Sequence, residues 1–469
     1  MNNLQHIQQE LTDICGEKIQ NTTPDYFKDA IDSLKREVLL ESARKFGTPQ
    51  YLLDVDRLRE RAIFFSHTMR HYIPGSEFFY AFKCNDLPLQ VKTLKEEGYH
   101  ADVAGIFELQ LALKLGFERI LFSGPGKSVE ELKCALKERK RVIVNIDNFD
   151  EIHRLKTLAG DKKSSRPLAV GFRLNTETST DGAWSKFGFA LEELKEAVRL
   201  VGQCPNLLWA GLHFHCSWNK TPRKYLENIK KIGSFLRENF PLEELRSLRF
   251  FDIGGGFYPE DQGIINKGED KGMLLDILGT RRGSKLKIYE DMNFDPYAFS
   301  VAPVEPLETF GRAIASALQE YIFPFNPEIA VYFEPGRFIA THATTILLTV
   351  TAIKKNCAIV DGGINMLGDY KFAEYSFAPM VNITHPSTQM RRQVIYGSLC
   401  DPADLWGYSY YGEELQKGDT LAVLNQGAYT FCTAWRFIKP IPAYIAASGN
   451  RLTIARKAEK FRDRYPMHL

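Results

Sequence analysis

A (β/α)8 TIM-type barrel followed by an all-β domain is the α/β architecture this 469-residue sequence predicts. Eight short runs rich in β-branched and aromatic residues alternate with helical patterns between residues 77 and 337. The alternation continues unbroken over about 250 residues, the usual extent of an eight-unit closed barrel, and this favours closure over an open doubly wound sheet. Beyond Arg337 the pattern becomes β-rich, with Gly, Pro and Asp turns between runs.

Length and composition narrow the class. With 44% hydrophobic residues the chain can bury two large cores. Its net charge of +2, with no long basic run, gives no reason to expect nucleic acid. The eight cysteines are scattered, with no CxxC pair and no close His/Cys cluster, so a reduced cytoplasmic chain without a metal site is expected. The N-terminal "MNNLQHIQQELTDICGEK" has no signal-peptide core, and no apolar stretch approaches membrane length, so a soluble protein is expected.

Residues 1–45 read as a polar helical extension. "TPQYLLDVDRLRERA" reads as a strand running into a helix, with 46–56 assigned to the β domain and 57–338 to the barrel. The barrel runs are "EFFYAFK" (77–83), "HADVAG" (100–105), "RILFSGPGK" (119–127), "RVIVNID" (141–147), "LAVGFRLN" (168–175), "WAGLHFHC" (209–216), "RFFDIGGG" (249–256) and "AVYFEPGR" (330–337). Between them, "SVEELKCALKER" offers a capping box from Ser128 and Glu131 and a face of Val129, Leu132 and Leu136. "FELQLALKLG" stacks Phe107, Leu111 and Leu115 before Gly116. "LEELKEAVRLVG" aligns Leu191, Leu194, Val198 and Val201. "GPGKS" (124–128) lacks the GxxxxGK[ST] spacing of a phosphate loop and reads as a structural turn. A polar stretch at 258–303 leaves the seventh run as a long insert, either a lid or partner surface or an inert excursion. The β domain resumes over 339–446, and 447–469, with "RLTIARKAEKFRDRY", reads as a basic terminal helix.

In such barrels the chemistry is assembled at the C-terminal ends of the strands. Here those ends carry Lys83, the pair His213 and His215, the triplet Gly254, Gly255 and Gly256, and Glu334 with Arg337. A lysine in a water-poor site can lose its proton and bond an aldehyde. Three glycines let backbone amides approach a phosphate, and an arginine adds charge to that anion. A carboxylate facing a pyridine nitrogen keeps it protonated. Together these parts describe a site for pyridoxal 5'-phosphate (PLP).

The chain resembles the PLP-dependent decarboxylases of the alanine racemase-like fold, which include diaminopimelate, ornithine, arginine and carboxynorspermidine decarboxylases. The resemblance spans about Thr48 to Tyr444 through "YAFKCN", "DVAG…E", "FSGPGKS", "KFGF", "GLHFHC", "DIGGGF", "EPGR", "GSLCDPAD" and "GAYT", in the family's order. It implies that Lys83 carries the cofactor aldehyde and that His215 stacks on its ring. Gly254–Gly256, Arg337 and Tyr429 would hold the phosphate, and Glu334 would meet the ring nitrogen. Asp102 and Glu108 fall on the family's acidic pair. Cys400 and Asp401 would complete the site from the other subunit of a homodimer, with Cys400 or Lys83 returning a proton to Cα. Glu334 also separates this reading from a racemase, whose family members place an arginine there.

Two departures bear on substrate and phosphate. Where the family has His-x-Gly-Ser, this chain has His215-Cys216-Ser217-Trp218, so Trp218 replaces the serine that touches the phosphate. Where diaminopimelate decarboxylases place an arginine for the distal carboxylate, "VDGGINMLGDY" places Asp369; Asp401 stands where they have Glu. Asp361, Asp369 and Asp401 are therefore the substrate-side candidates. They favour a cationic distal group, as in lysine, ornithine or a carboxylated polyamine. Diaminopimelate or a siderophore precursor stays open as substrate, and a catalytically silent regulatory homologue is the alternative of another class.

Overall fold

The computed structural model describes residue 28 and residues 31–160, 164–175, 186–259, 263–264, 300–301, 304–368 and 378–466. The chain divides into a barrel unit, 58–260 with 304–340, and a β unit formed by the remainder.

The barrel unit closes in the order β11-β2-β3-β4-β5-β6-β7-β8. The strands are β2 (Ser76–Ala81), β3 (His100–Val103), β4 (Ile120–Phe122), β5 (Val142–Ile146), β6 (Leu168–Arg173), β7 (Leu207–His213), β8 (Phe250–Asp252) and β11 (Ala330–Phe333). All eight are parallel, and β11 closes the ring between β8 and β2. Each arises from one of the eight runs. Their inward side chains fill the barrel: Phe79, Leu121, Ala210, Phe250 and Tyr332 form its core, with the Phe250 and Tyr332 rings stacked at 4.7 Å. Buried on both faces, such strands need apolar residues without strict alternation, which is why they are legible as continuous runs.

The helices follow their caps and stripes. Ser128 and Glu131 form the reciprocal box at the start of Val129–Lys137, which buries Leu132 and Leu136 while Val129 stays exposed. In Leu194–Gly202, Leu194, Ala197, Leu200 and Val201 are buried. The expected stripe in Ile106–Lys114 is corrected. Leu109 and Ala112 face the barrel, and Phe107 is 83% exposed. A helix of nine residues, entered through extended Gly105, has its rotation set by that entry rather than by its own periodicity.

Among the described residues, the main sheet of the β unit has nine strands in the order β13-β15-β16-β14-β17-β12-β1-β18-β19. Its strands are β1 (Gln50–Asp54), β12 (Thr344–Lys354), β13 (Cys357–Val360), β14 (Met380–Asn382), β15 (Met390–Tyr396), β16 (Leu405–Tyr411), β17 (Thr420–Val423), β18 (Ala443–Ser448) and β19 (Arg451–Arg456). A further β12–β13 pairing closes part of it into a small barrel. The helix Arg36–Phe46 lays Leu39 onto its core of Leu52, Leu347, Val381 and Ala422. The expected terminal helix is corrected as well. Arg451–Arg456 is a strand hairpinned onto β18 across Gly449 (φ 52°), and only Phe461–Arg464 is helical. The basic composition of the tail looked helical, but Leu452 and Ile454 carry a period of two that β18 selects.

The 258–303 insert lies almost wholly outside the described residues, apart from its start and a short antiparallel pairing of β9 (Gly263–Ile264) with β10 (Ser300–Val301). No described helix is long and apolar enough to cross a membrane, and no disulfide joins the described cysteines.

Candidate active site

The C-terminal ends of the barrel strands bring together the residues read from the motifs. Lys83 sits in the single 3-10 turn Phe82–Cys84 that follows β2. Its Nζ lies 3.4 Å from Asp102 Oδ2 at the end of β3. Asp102 is buried, and its other oxygen accepts a 2.7 Å hydrogen bond from Ser123 Oγ. Burial, then the charge of Glu334, raise the Asp102 pKa, and Lys83 opposes them. Glu108 accepts from the Ala104 amide at 2.6 Å, and burial above all pushes it up to about 7.

Glu334 follows β11 and is 1% exposed. Two imidazoles flank it, with His213 Nε2 3.4 Å from Oε1 and His215 Nδ1 3.4 Å from Oε2. Neither contact has hydrogen-bond geometry, and no described backbone amide or imidazole N–H donates to either oxygen. Burial first, then neighbouring cations, hold both histidines well below their ordinary range, so both are neutral. Asp252, at the end of β8, is pushed well above the carboxylate range by burial and then by the neighbouring carboxylate of Glu334. A buried carboxylate with open acceptor sites is costly unless a donor arrives.

The glycine triplet is required by its neighbours. Gly254 (φ 70°) and Gly256 (φ 87°) are left-handed. A Cβ on Gly254 would strike the Phe214 carbonyl, one on Gly255 the Glu334 carbonyl, and one on Gly256 the Cys216 carbonyl. The turn is pinned by Gly254 N donating to Asp252 Oδ1 at 2.9 Å, and by Tyr225 Oη donating to the Gly255 carbonyl at 2.6 Å. Arg337 opens the turn Arg337–Ala340 beside it, with its guanidinium 5.6 Å from the centre of the Tyr258 ring. Trp218 stands where the serine was expected, at φ 54° and 45% exposed.

Lys127 of "GPGKS" has a different task. Its ammonium is wholly buried, 2.9 Å from Glu151 and 2.7 Å from the Asn145 carbonyl, so the turn is tied to β5 and its helix and offers no cation to a ligand.

Arg173 and Asp252 were missed as site residues. Arg173 ends β6, is buried, and has its guanidinium 4.1 Å from the Phe187 ring. Burial lowers its pKa, while Asp147, Glu334, Asp102 and Asp252 act the other way. Both could have been found by the rule that found Lys83, a charged residue at or just beyond the C-terminal end of a barrel strand. In the β unit, Cys400 and Asp401 are exposed, and Asp401 accepts from the Ala403 amide at 2.9 Å. Tyr429 is half-buried at φ 52°. Asp361 uses its two oxygens on the Thr349 amide and the Thr48 hydroxyl, which gives it a structural task at the β12–β13 hairpin. Asp369 lies outside the described residues.

Residues 58–279 match the family model described as pyridoxal-dependent decarboxylase, pyridoxal binding domain. Residues 58–279 belong to that domain family, and the chain is similar along most of its length to PLP-dependent amino-acid decarboxylases of the ornithine, arginine and diaminopimelate group. Two curated relatives are the diaminopimelate decarboxylases of Aquifex aeolicus, 27% identical over 442 residues (90% of this chain, 92% of that one), and Bacillus subtilis, 28% identical over 446 residues (90% and 91%). Among solved structures, diaminopimelate decarboxylase from Helicobacter pylori complexed with L-lysine shares the fold at a TM-score of 0.73 and 24% identity, covering 91% of this chain and 98% of that one. Lysine/ornithine decarboxylase from Vibrio vulnificus complexed with putrescine does so at 0.65 and 23%, covering 89% and 99%.

PLP is the cofactor of this decarboxylase family, and the residues present fit it. Glu334 offers a buried acceptor of the kind a pyridine N–H satisfies, and the glycine turn leaves the bare backbone a phosphate needs. His213, His215 and Glu334 also bring three donor atoms within 4.8 Å, a set a metal ion could use. Both nitrogens of His215 are already engaged, by the Gly255 amide and by Ser217 Oγ, which suits a ring-binding floor better than a ligand set.

Proposed function

We propose that this decarboxylase removes the α-carboxylate of an amino acid that carries a second amino group at its far end. The observation that supports the decarboxylation is Glu334, a buried carboxylate following the last barrel strand that no backbone amide or imidazole N–H satisfies. When bound, PLP supplies the electron sink that accepts the pair left on Cα as CO2 departs. Lys83 would bond its aldehyde, and Asp102, 3.4 Å from the Lys83 Nζ, would orient that amine. His215 would stack on the ring. Gly254–Gly256 and Arg337 would hold the phosphate. Lys83, or Cys400 from a second copy of the chain, returns the proton to Cα. The working form is then a cytoplasmic homodimer.

Asp369 in place of an arginine, and Asp401 in place of a glutamate, support a distal ammonium as in lysine, ornithine or a carboxylated polyamine. Diaminopimelate is the second reading, favoured by the names of the relatives above. It too carries a distal amine, so the two differ in whether a distal carboxylate is also required. Measuring CO2 release from lysine, ornithine, arginine, diaminopimelate and carboxylated polyamines separates them. Turnover of a substrate without a distal carboxylate supports the first reading, and turnover of diaminopimelate alone overturns it.

A further inference from the structure

His215 is gripped at both nitrogens. The Gly255 amide points at Nδ1 from 3.2 Å, and Ser217 Oγ lies 3.2 Å from Nε2. A backbone N–H can only donate, so Nδ1 presents a lone pair and the ring proton sits on Nε2, directed at Ser217. Glu334 Oε2 is 3.4 Å from the same bare Nδ1. Two acceptors that close do not attract one another. The ring is held there by Gly255 on one side and Ser217 on the other, and it has no proton to offer Glu334. Ser217 is also the residue that stands where the family pattern has glycine, so its hydroxyl is an addition of this chain.

We propose that Ser217 is a positioning residue that accepts the Nε2–H of His215, locks that tautomer together with the Gly255 amide, and thereby keeps Glu334 for the ring nitrogen of PLP. The proposal rests on the reading of Glu334 given above. Flipping the proton to Nδ1 would cost the Gly255 amide its acceptor and turn the imidazole into a donor competing for Oε2. Without the hydroxyl, Nε2–H loses its partner and the balance moves that way. The low basicity of His215, set first by burial, agrees with a neutral ring of fixed tautomer.

The test is nitrogen NMR of the full-length chain labelled at histidine, with the His215 signals assigned through His215→Asn, alongside equilibrium titration with PLP. The wild type should show a bare Nδ1 and a protonated Nε2. Ser217→Ala should populate both tautomers and weaken PLP binding roughly three- to tenfold, the size of one net hydrogen bond. Ser217→Thr, which keeps a hydroxyl, should restore both. A protonated Nδ1 in the wild type, or wild-type spectra in Ser217→Ala, overturns the lock. A shifted tautomer with unchanged PLP affinity overturns its link to Glu334. Glu334→Gln distinguishes the underlying reading: if Glu334 does not meet the ring nitrogen, PLP affinity and absorbance are unchanged in that variant whatever the His215 spectrum shows.

Discussion

Glu334 concentrates the chemistry into one carboxylate. It follows the last barrel strand, flanked by neutral imidazoles and beside Asp252, and no backbone amide or imidazole N–H donates to it. Glu334→Ala should cut turnover by about 10²–10³-fold, the usual effect of removing one preorganised charge-stabilising group, with the circular dichroism spectrum unchanged; near-normal turnover would take Glu334 out of the mechanism. Glu108 gives a second residue-scale prediction. Its pKa is raised to about 7 from 4.5, chiefly by burial. The folded state then binds more protons than the unfolded one between those values, so this group's contribution to stability falls as pH rises through the window. Glu108→Gln lacks that loss and should gain on the wild type between pH 5 and pH 8, on the order of 1–3 kcal/mol. Urea unfolding at both pH values checks it, and an identical difference at both rules it out. Charged residues at strand ends were legible in the sequence because position alone marks them. The Ser217–His215–Gly255 contacts were not, because they depend on β7 and β8 lying side by side.

At the scale of elements, the Lys127–Glu151 pair is the clearest load on the fold. Both side chains are wholly buried, and they join the "GPGKS" turn to the helix Phe149–Ala159. Lys127→Met leaves Glu151 buried without its cation and should destabilise the chain by about 3–5 kcal/mol. The double variant Lys127→Met, Glu151→Leu should recover most of that, since removing both charges spares their desolvation. If the double variant is as unstable as the single one, packing rather than charge is responsible. The sequence signalled the turn but not the pair, because its members lie 24 positions apart and meet only when β4 and β5 align. Helix rotation and the hairpin at Gly449 were lost for a related reason. Phe107 and Ile454 sit in segments whose own patterns allow two orientations, and a neighbouring strand or an entry turn decides between them.

For the whole molecule, the proposed sharing of sites between two copies makes a test by mixing. If Cys400 rather than Lys83 returns the proton, Lys83→Ala and Cys400→Ala chains should each be nearly inactive alone. Unfolded and refolded together in equal amounts, they should recover about a quarter of wild-type activity, because half of the pairs formed are mixed and each mixed pair holds one intact site. No recovery would mean that each site is built from a single chain. Closure into eight parallel strands was legible from the count of runs, whereas the sheet order of the β unit was not. Short strands with irregular spacing carry little information about which neighbour each will choose.

The first strand of the chain has a consequence for biosynthesis. β1 leaves the ribosome before any part of the barrel, yet its partners β12 and β18 begin at Thr344 and Ala443. About 290 residues separate Asp54 from Thr344, a wait of roughly 15–60 s at ~5–20 residues per second of translation. Through that interval Tyr51, Leu52 and Leu53, all buried in the finished protein, have no sheet to join. A nascent chain stalled before Thr344 would therefore carry an assembled barrel with a sticky apolar leader, a ready substrate for a holding chaperone.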